Sequence, residues 1–169
     1  MNRMRKVLIA DDEVKVGQLV KRLIQWDRLG LTCIGLVTDG QTAYEKILSE
    51  SPDIVITDIR MPVLTGLEMI QKASEQGVKC HFIVVSGYKY FDYAQKALKY
   101  GVEDYLLKPI DEDELNRQLQ KIVAEEEQRE DKQQQVDQIE KKLEDSKYLR
   151  HKEFLRHCLL YTSPSPRDI

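Results

Sequence analysis

The sequence predicts an α/β fold, a parallel β-sheet with helices packed on both faces. Three observations predict it. Short apolar runs alternate with longer stretches of helical periodicity, the pattern of successive βαβ units. Several of those runs are apolar throughout, as suits strands buried on both faces. Glycines, prolines and capping acids fall at the joints between runs.

The expected elements follow in order. A first strand, Lys6–Ala10, runs into the acids Asp11-Asp12-Glu13, and a helix is expected over Val14–Arg28. A second strand, Thr32–Val37, precedes Asp39-Gly40, where the aspartate is a good cap for a helix over Gln41–Glu50. Ser51-Pro52-Asp53 ends that helix and leads into a third strand, Ile54–Asp58. A helix over Gly66–Gln76 stops at Gly77, before a fourth strand, His81–Ser86. A helix over Tyr90–Tyr100 stops at Gly101, before a fifth strand, Asp104–Leu107. The last helix begins near Glu112, where Glu112-Asp113-Glu114 after Asp111 complements the helix dipole.

Beyond Leu119 the composition changes. Residues 125–135 are strong helix formers without an apolar face, and apolar residues return at Val136, Ile139 and Leu143, three and four apart. Two readings stand: a solvated helical linker, or a dimerising coiled coil. The polar gap argues against a continuous seam. The final stretch, with Pro164 and Pro166 among serines, breaks any helix. From Cys158 it reads like a translated sequencing-library adaptor and is expected to be non-native. The expected organisation is thus residues 1–124 as one α/β domain, 125–157 as helical linker and 158–169 as adaptor-like tail.

Composition narrows the function classes. The chain has 169 residues, 41% hydrophobic and 33% charged, enough for one domain with a core and an extension. Its net charge of -3 gives no basic footprint for nucleic acid. No apolar run approaches the roughly 20 residues that span a bilayer. The basic start, Arg3, Arg5 and Lys6, precedes too short an apolar run for a signal peptide. Cys33, Cys80 and Cys158 lack metal-ligand spacing and are read as reduced thiols with a cytoplasmic location, Cys33 and Cys80 in or beside strands. His81, His151 and His157 show no ligand pattern.

In an open parallel sheet, ligands bind beyond the carboxyl ends of the strands. Asp11, Asp12, Asp58, Ser86 and Lys108 all fall at such ends. Clustered carboxylates raise one another's pKa unless a cation neutralises them, and Mg2+ suits oxygen ligands of this kind. A carboxylate there can attack phosphorus and form an aspartyl-phosphate. That chemistry needs alignment and charge stabilisation. Asp11 and Asp12 would hold the metal, Lys108 would pair with phosphoryl oxygens, and Ser86 would hydrogen-bond one of them. Against this stands the plainer reading that Asp11 and Asp12 cap the first helix. Glu13 is read as a helix-start residue.

The chain resembles the receiver domain of a two-component response regulator. The resemblance rests on Asp11-Asp12-Glu13, Asp58-Ile59-Arg60-Met61-Pro62 with Gly66, Ser86-Gly87-Tyr88, and Tyr105-Leu106-Leu107-Lys108-Pro109, and covers residues 4–124. It implies a flavodoxin-like fold of five strands and five helices, with sheet order 2-1-3-4-5. It implies that Asp58 accepts a phosphoryl group from a sensor histidine kinase, with Lys108 and Ser86 in the reaction site. Asp11, Asp12, Asp58 and the backbone carbonyl of Arg60 would bind Mg2+. Ser86 and Tyr105 would form the switch, and the Lys108–Pro109 bond is often cis in the family. The expected function is a phosphoacceptor switch rather than a turnover enzyme, able to form a homodimer on phosphorylation.

Finer pieces resemble regulators with an AraC-type helix-turn-helix output domain: Trp26-Asp27-Arg28-Leu29-Gly30, Phe91-Asp92-Tyr93-Ala94 and Val102-Glu103-Asp104. DNA would then be reached only through an output domain this sequence lacks. Tyr88, Tyr90, Phe91, Tyr93 and Tyr100 make the face around the fourth helix a candidate partner surface. Two competitors remain. An aspartate-dependent phosphatase would use Asp11 and Glu13 and leave Asp12 without a role. A phosphate-independent interaction module would leave the acids, Ser86 and Lys108 unused.

Overall fold

The structure is a computed structural model that describes residues 3–87 and 102–158, with only the backbone described for 102–104 and 146–158. Five strands form one parallel sheet: β1 (Arg5–Ala10), β2 (Leu31–Val37), β3 (Ile54–Thr57), β4 (His81–Ser86) and β5 (Val102–Leu107). Their order is β2-β1-β3-β4-β5. The helices are α1 (Val14–Leu23), the single turn α2 (Trp26–Leu29), α3 (Gly40–Glu50), α4 (Gly66–Glu75) and α5 (Glu112–Cys158). The helix expected over Tyr90–Tyr100, with its aromatic residues and Gly101, lies outside the described residues, as does the tail from 159 onward.

Strand alternation splits the core into two layers. Leu8 and Ala10 of β1, Val55 of β3 and Phe82 and Val84 of β4 face Ala43 and Ile47 of α3 and Met69, Ile70 and Ala73 of α4. Val7 and Ile9, Ile54 and Ile56, Ile83 and Val85, and Leu106 face Val20 of α1 and Leu115, Leu119 and Ile122 of α5. Every residue of β3 is buried, which explains its unbroken apolar sequence. Burying each such Val, Leu or Ile side chain contributes about 1.5–3 kcal/mol, so this double layer dominates the sheet's stability. The chain winds to one side of β1 and then to the other, so the order reverses between β1 and β3. Open sheets of this kind bind ligands at that reversal, beyond the strands' carboxyl ends.

Local chemistry sets the boundaries. Asp39 caps α3, its carboxylate accepting from the Thr42 amide at 2.7 Å and the Thr42 hydroxyl at 2.8 Å. Thr65 and Glu68 form a reciprocal capping box on α4. Gly77 follows α4 with φ of 75°, where a glycine costs no strain. At α5, the Asp111 carboxylate accepts from the Asp113 amide at 3.0 Å.

One expected helix is two. The periodicity over Val14–Arg28 is interrupted at Ile24, which is extended (φ −73°, ψ 132°), and α2 begins only at Trp26. The cause is a distant side chain. Buried Asn116 of α5 donates to the Leu23 carbonyl at 2.8 Å and accepts from the Gln25 amide at 2.8 Å. It satisfies backbone groups that a continuous helix would have paired internally. The break also lets Ile24 turn into the core, where it is 4% exposed. Four strand ends also differ from expectation: β1 and β2 each start one residue earlier, at Arg5 and Leu31, β3 stops at Thr57, leaving Asp58 just past its end, and β5 starts two residues earlier, at Val102.

Two compact units divide the chain, Met1–Val123 and Ala124–Ile169. The first three turns of α5 belong to the first unit. The second continues as helix to Cys158, with Val136, Ile139 and Leu143 all exposed along it. Cys33 lies in β2 and Cys80 immediately before β4, where burial pushes its thiol up to about 12 and disfavours the reactive thiolate.

Candidate functional site

Asp11, Asp58 and Lys108 each stand one step past a strand, and backbone pairing carries them there. The Asp11 amide donates to the Val37 carbonyl at 3.0 Å, the Asp58 amide to the Ala10 carbonyl at 2.9 Å, and the Lys108 amide to the Ser86 carbonyl at 2.9 Å. The sheet ladder thus runs into the site and fixes its register. A one-residue slip of β3 would turn Asp58 to the opposite face.

Three carboxylates converge. Asp11, Asp12 and Asp58 each bring an oxygen within 4.8 Å of the others, with Asp11 and Asp58 buried and Asp12 exposed. Lys108 reaches across from β5, its Nζ 3.1 Å from Asp58 Oδ2 and 3.3 Å from Asp11 Oδ2. Asp58 Oδ1 accepts from the Ile59 amide at 2.7 Å, and Asp11 Oδ1 from the Glu13 amide at 2.9 Å. Glu13 therefore serves the site through its backbone, while its side chain makes no capping bond to α1.

The electrostatics are unbalanced. Burial and the neighbouring Asp58 charge push Asp11 up to about 6, although the Glu13 amide and Lys108 pull the other way. Lys108 is itself raised: burial opposes its charge, but Asp58 and Asp11 outweigh that cost. One ammonium against three carboxylates leaves the cluster anionic. This donor set fits a hard divalent cation, which prefers carboxylate and carbonyl oxygens.

The other side of the site is hydroxylic. Ser86 is 1% exposed, and among the described residues its Oγ makes no hydrogen bond of full geometry, its nearest polar neighbour being the Tyr105 hydroxyl. Such a group costs roughly 1–3 kcal/mol unless something accepts or donates to it. Tyr105, across the β4–β5 pair, donates its hydroxyl to the Gly87 carbonyl at 3.1 Å. Burial raises the Tyr105 phenol, with the nearby Ser86 hydroxyl opposing. The peptide bond between Lys108 and Pro109 is cis.

The structure brings together Asp11, Asp12, Asp58 and Lys108, and places Ser86 and Tyr105 on the adjoining strand ends. Arg60 is exposed on the loop after Asp58. Sequence reasoning missed the glycines' part in that loop. A Cβ on Gly66 would sit 2.0 Å from the Asp58 carbonyl oxygen, and the Gly66 amide donates to the Ile59 carbonyl at 2.7 Å. Asp39-Gly40 was legible only as a helix start, whereas a Cβ on Gly40 would sit 1.8 Å from the Leu64 carbonyl oxygen.

Comparison with known proteins agrees with this fold. Residues 7–120 match the family described as "Response regulator receiver domain". The chain is 46% identical over 122 residues to the transcriptional regulatory protein YesN of Bacillus subtilis (strain 168), covering 72% of this chain and 33% of that protein. It is 35% identical over 120 residues to the transcriptional regulatory protein HptR of Staphylococcus aureus (strain NCTC 8325 / PS 47), covering 71% and 47%. The chain thus spans a third to a half of the length of these curated relatives. Among solved structures, the REC domain of AraT, a response regulator from Geobacillus stearothermophilus, superimposes with a TM-score of 0.72 at 36% identity. That match covers 75% of this chain and 98% of that one.

Proposed function

The chain belongs to the response regulator receiver domain family, and from that premise we propose that Asp58 is its phosphoacceptor, taking a phosphoryl group from a phosphohistidine on a sensor histidine kinase. An oxygen of the Asp58 carboxylate attacks phosphorus, the P–N bond breaks, and the imidazole leaves with that bonding pair. The product is an acyl phosphate on Asp58. Asp11, Asp12 and Asp58, with the Arg60 carbonyl, would hold Mg2+, which when bound neutralises charge on the transferred group. Lys108, already 3.1 Å from Asp58, is placed to follow the phosphoryl oxygens. The protein's contribution is positioning and charge stabilisation, and the only reactions it promotes are formation and hydrolysis of its own phosphate.

The observation that carries this reading is the buried Ser86 Oγ beside an anionic cluster, without a hydrogen bond of full geometry among the described residues. Its near neighbour is the Tyr105 hydroxyl, and a phosphoryl oxygen on Asp58 would offer its proton a stronger, charged acceptor. Ser86 moving toward it would free space for Tyr105 to leave the Gly87 carbonyl, shifting a two-state equilibrium on the β4–β5 side. Homodimer formation through that side, and transcriptional output through an AraC-type domain carried beyond residues 125–157, complete the proposal. Support for the output comes from the names of the relatives and the share of their length this chain spans. The region from Cys158 onward belongs, in this reading, to an adaptor-like tail. Treatment with a small phosphoryl donor and Mg2+ should label the parent and spare Asp58→Asn. Equal labelling of both would refute the assignment.

A further inference from the structure

We propose that Gly40, at the start of α3, is a positioning residue that sets the loop between Asp58 and Gly66. This rests on the reading of Asp58 and the Arg60 carbonyl given above. Gly40 is buried at the first position of α3, and it is not among the described glycines with positive φ, which are Gly30 and Gly77. Its conformation therefore does not call for glycine. Space does: a Cβ there would lie 1.8 Å from the Leu64 carbonyl oxygen, 2.6 Å from Leu64 C and 2.8 Å from Leu64 Cβ. The first two are backbone atoms, so relief requires the loop or the helix to move.

The loop has little slack to absorb this. The Pro62 carbonyl accepts from the Leu64 amide at 2.8 Å, closing a γ-turn, and from the Gly40 amide at 3.3 Å. Val63, at the centre of that turn, has φ of 70° and is 82% exposed. A β-branched residue in that region is strained and persists only when its surroundings hold it. Gly40 on one side and the buried Leu64 side chain on the other provide that hold. Toward the site, the Ile59 carbonyl is tied to the Gly66 amide, and the Ile59 amide is tied to Asp58 Oδ1. Arg60 and Met61 complete the span between those ties and the turn. Pressure from a side chain at position 40 thus travels along a short, pinned segment to the Asp58 carboxylate and the Arg60 carbonyl.

The test uses the full chain and three readouts: Mg2+ affinity by calorimetric titration of the metal alone, phosphorylation rate with a small phosphoryl donor, and thermal stability. Gly40→Ala is expected to weaken Mg2+ binding by about tenfold, the scale seen when groups orienting metal ligands are lost. Phosphorylation should slow by roughly a hundredfold, the scale of a 1 Å misplacement. Ile47→Val, a core change on the same helix, should lower the melting temperature and leave both site readouts at the parent's values. A Gly40→Ala protein that matches Ile47→Val in all three would overturn the proposal. Should Gly40→Ala not fold, Leu64→Ala removes the opposite hold without adding bulk, and parental Mg2+ affinity in that variant would be equally fatal. A parent that neither binds Mg2+ nor accepts phosphate would instead refute the phosphoacceptor reading itself.

Discussion

Lys108 Nζ lies 3.1 Å from Asp58 Oδ2, although fifty residues separate them in the chain. The two meet because β5 and β3 flank β4 in the sheet and both end on the same edge. The contact joins a cation 24% exposed to a carboxylate 8% exposed, so solvent screens it less than a surface pair.

Lys108→Ala should separate metal binding from phosphoryl transfer. Removing the ammonium leaves three carboxylates without their local counter-charge, so Mg2+ should bind at least as tightly as in the parent. Phosphorylation should slow by roughly 100- to 1000-fold, the usual cost of losing one donor to developing charge. Mg2+ titration and donor-labelling rates on the same preparation check both halves.

Asp11 makes stability depend on pH in a defined direction. Its folded-state pKa, about 6, lies above the ordinary aspartate value of 3.8, so between those values the folded state binds more protons than the unfolded state. Stability from this group therefore falls as pH rises through that window, and the penalty is complete above it. Asp11→Asn should accordingly be more stable than the parent at pH 7.5 without Mg2+, by on the order of 2 kcal/mol. The gap should close as pH approaches 4. Urea denaturation at both pH values decides this. A second arm, Mg2+ titration of the parent, should show affinity lost as pH drops below about 6.

Ser86→Ala should leave the unphosphorylated protein as stable as the parent or more so, because among the described residues the deleted hydroxyl makes no hydrogen bond of full geometry and loses only its contact with the Tyr105 hydroxyl. The gain would be about 1 kcal/mol at most. The same change should weaken the response to beryllofluoride with Mg2+, read by NMR shifts or by oligomeric state. Unchanged beryllofluoride shifts would remove Ser86 from the phosphate-sensing role.

Asn116→Ala should cost about 2–3 kcal/mol in urea denaturation, because it strands the Gln25 amide and the Leu23 carbonyl at the α1–α2 break. Mg2+ affinity should not change, since none of these groups belongs to the acidic cluster. A matching loss of metal affinity would show that the break is coupled to the site.

Strand alternation, capping acids and turn residues were local signals, and they located most elements. Asp39, Thr65 and Gly77 act within a few residues of themselves, so their effects could be read in order along the chain. The Val14–Arg28 helix was misjudged because its break is held by Asn116, about ninety positions away. No window along the chain contains both partners. The same holds for Gly40, whose neighbour in sequence suggests a cap and whose neighbour in space is Leu64.

By itself the sequence determined which residues end the strands, and hence which chemistry collects at the sheet's carboxyl edge. Tertiary structure alone decided the distances: the 4.8 Å acid cluster, the Lys108 contacts and the burial of the Ser86 hydroxyl beside Tyr105. The physical reason is that strand identity follows from local burial pattern, whereas the electrostatics of a site depend on separations of a few ångströms between groups tens of residues apart. Those separations are set by packing of the whole core.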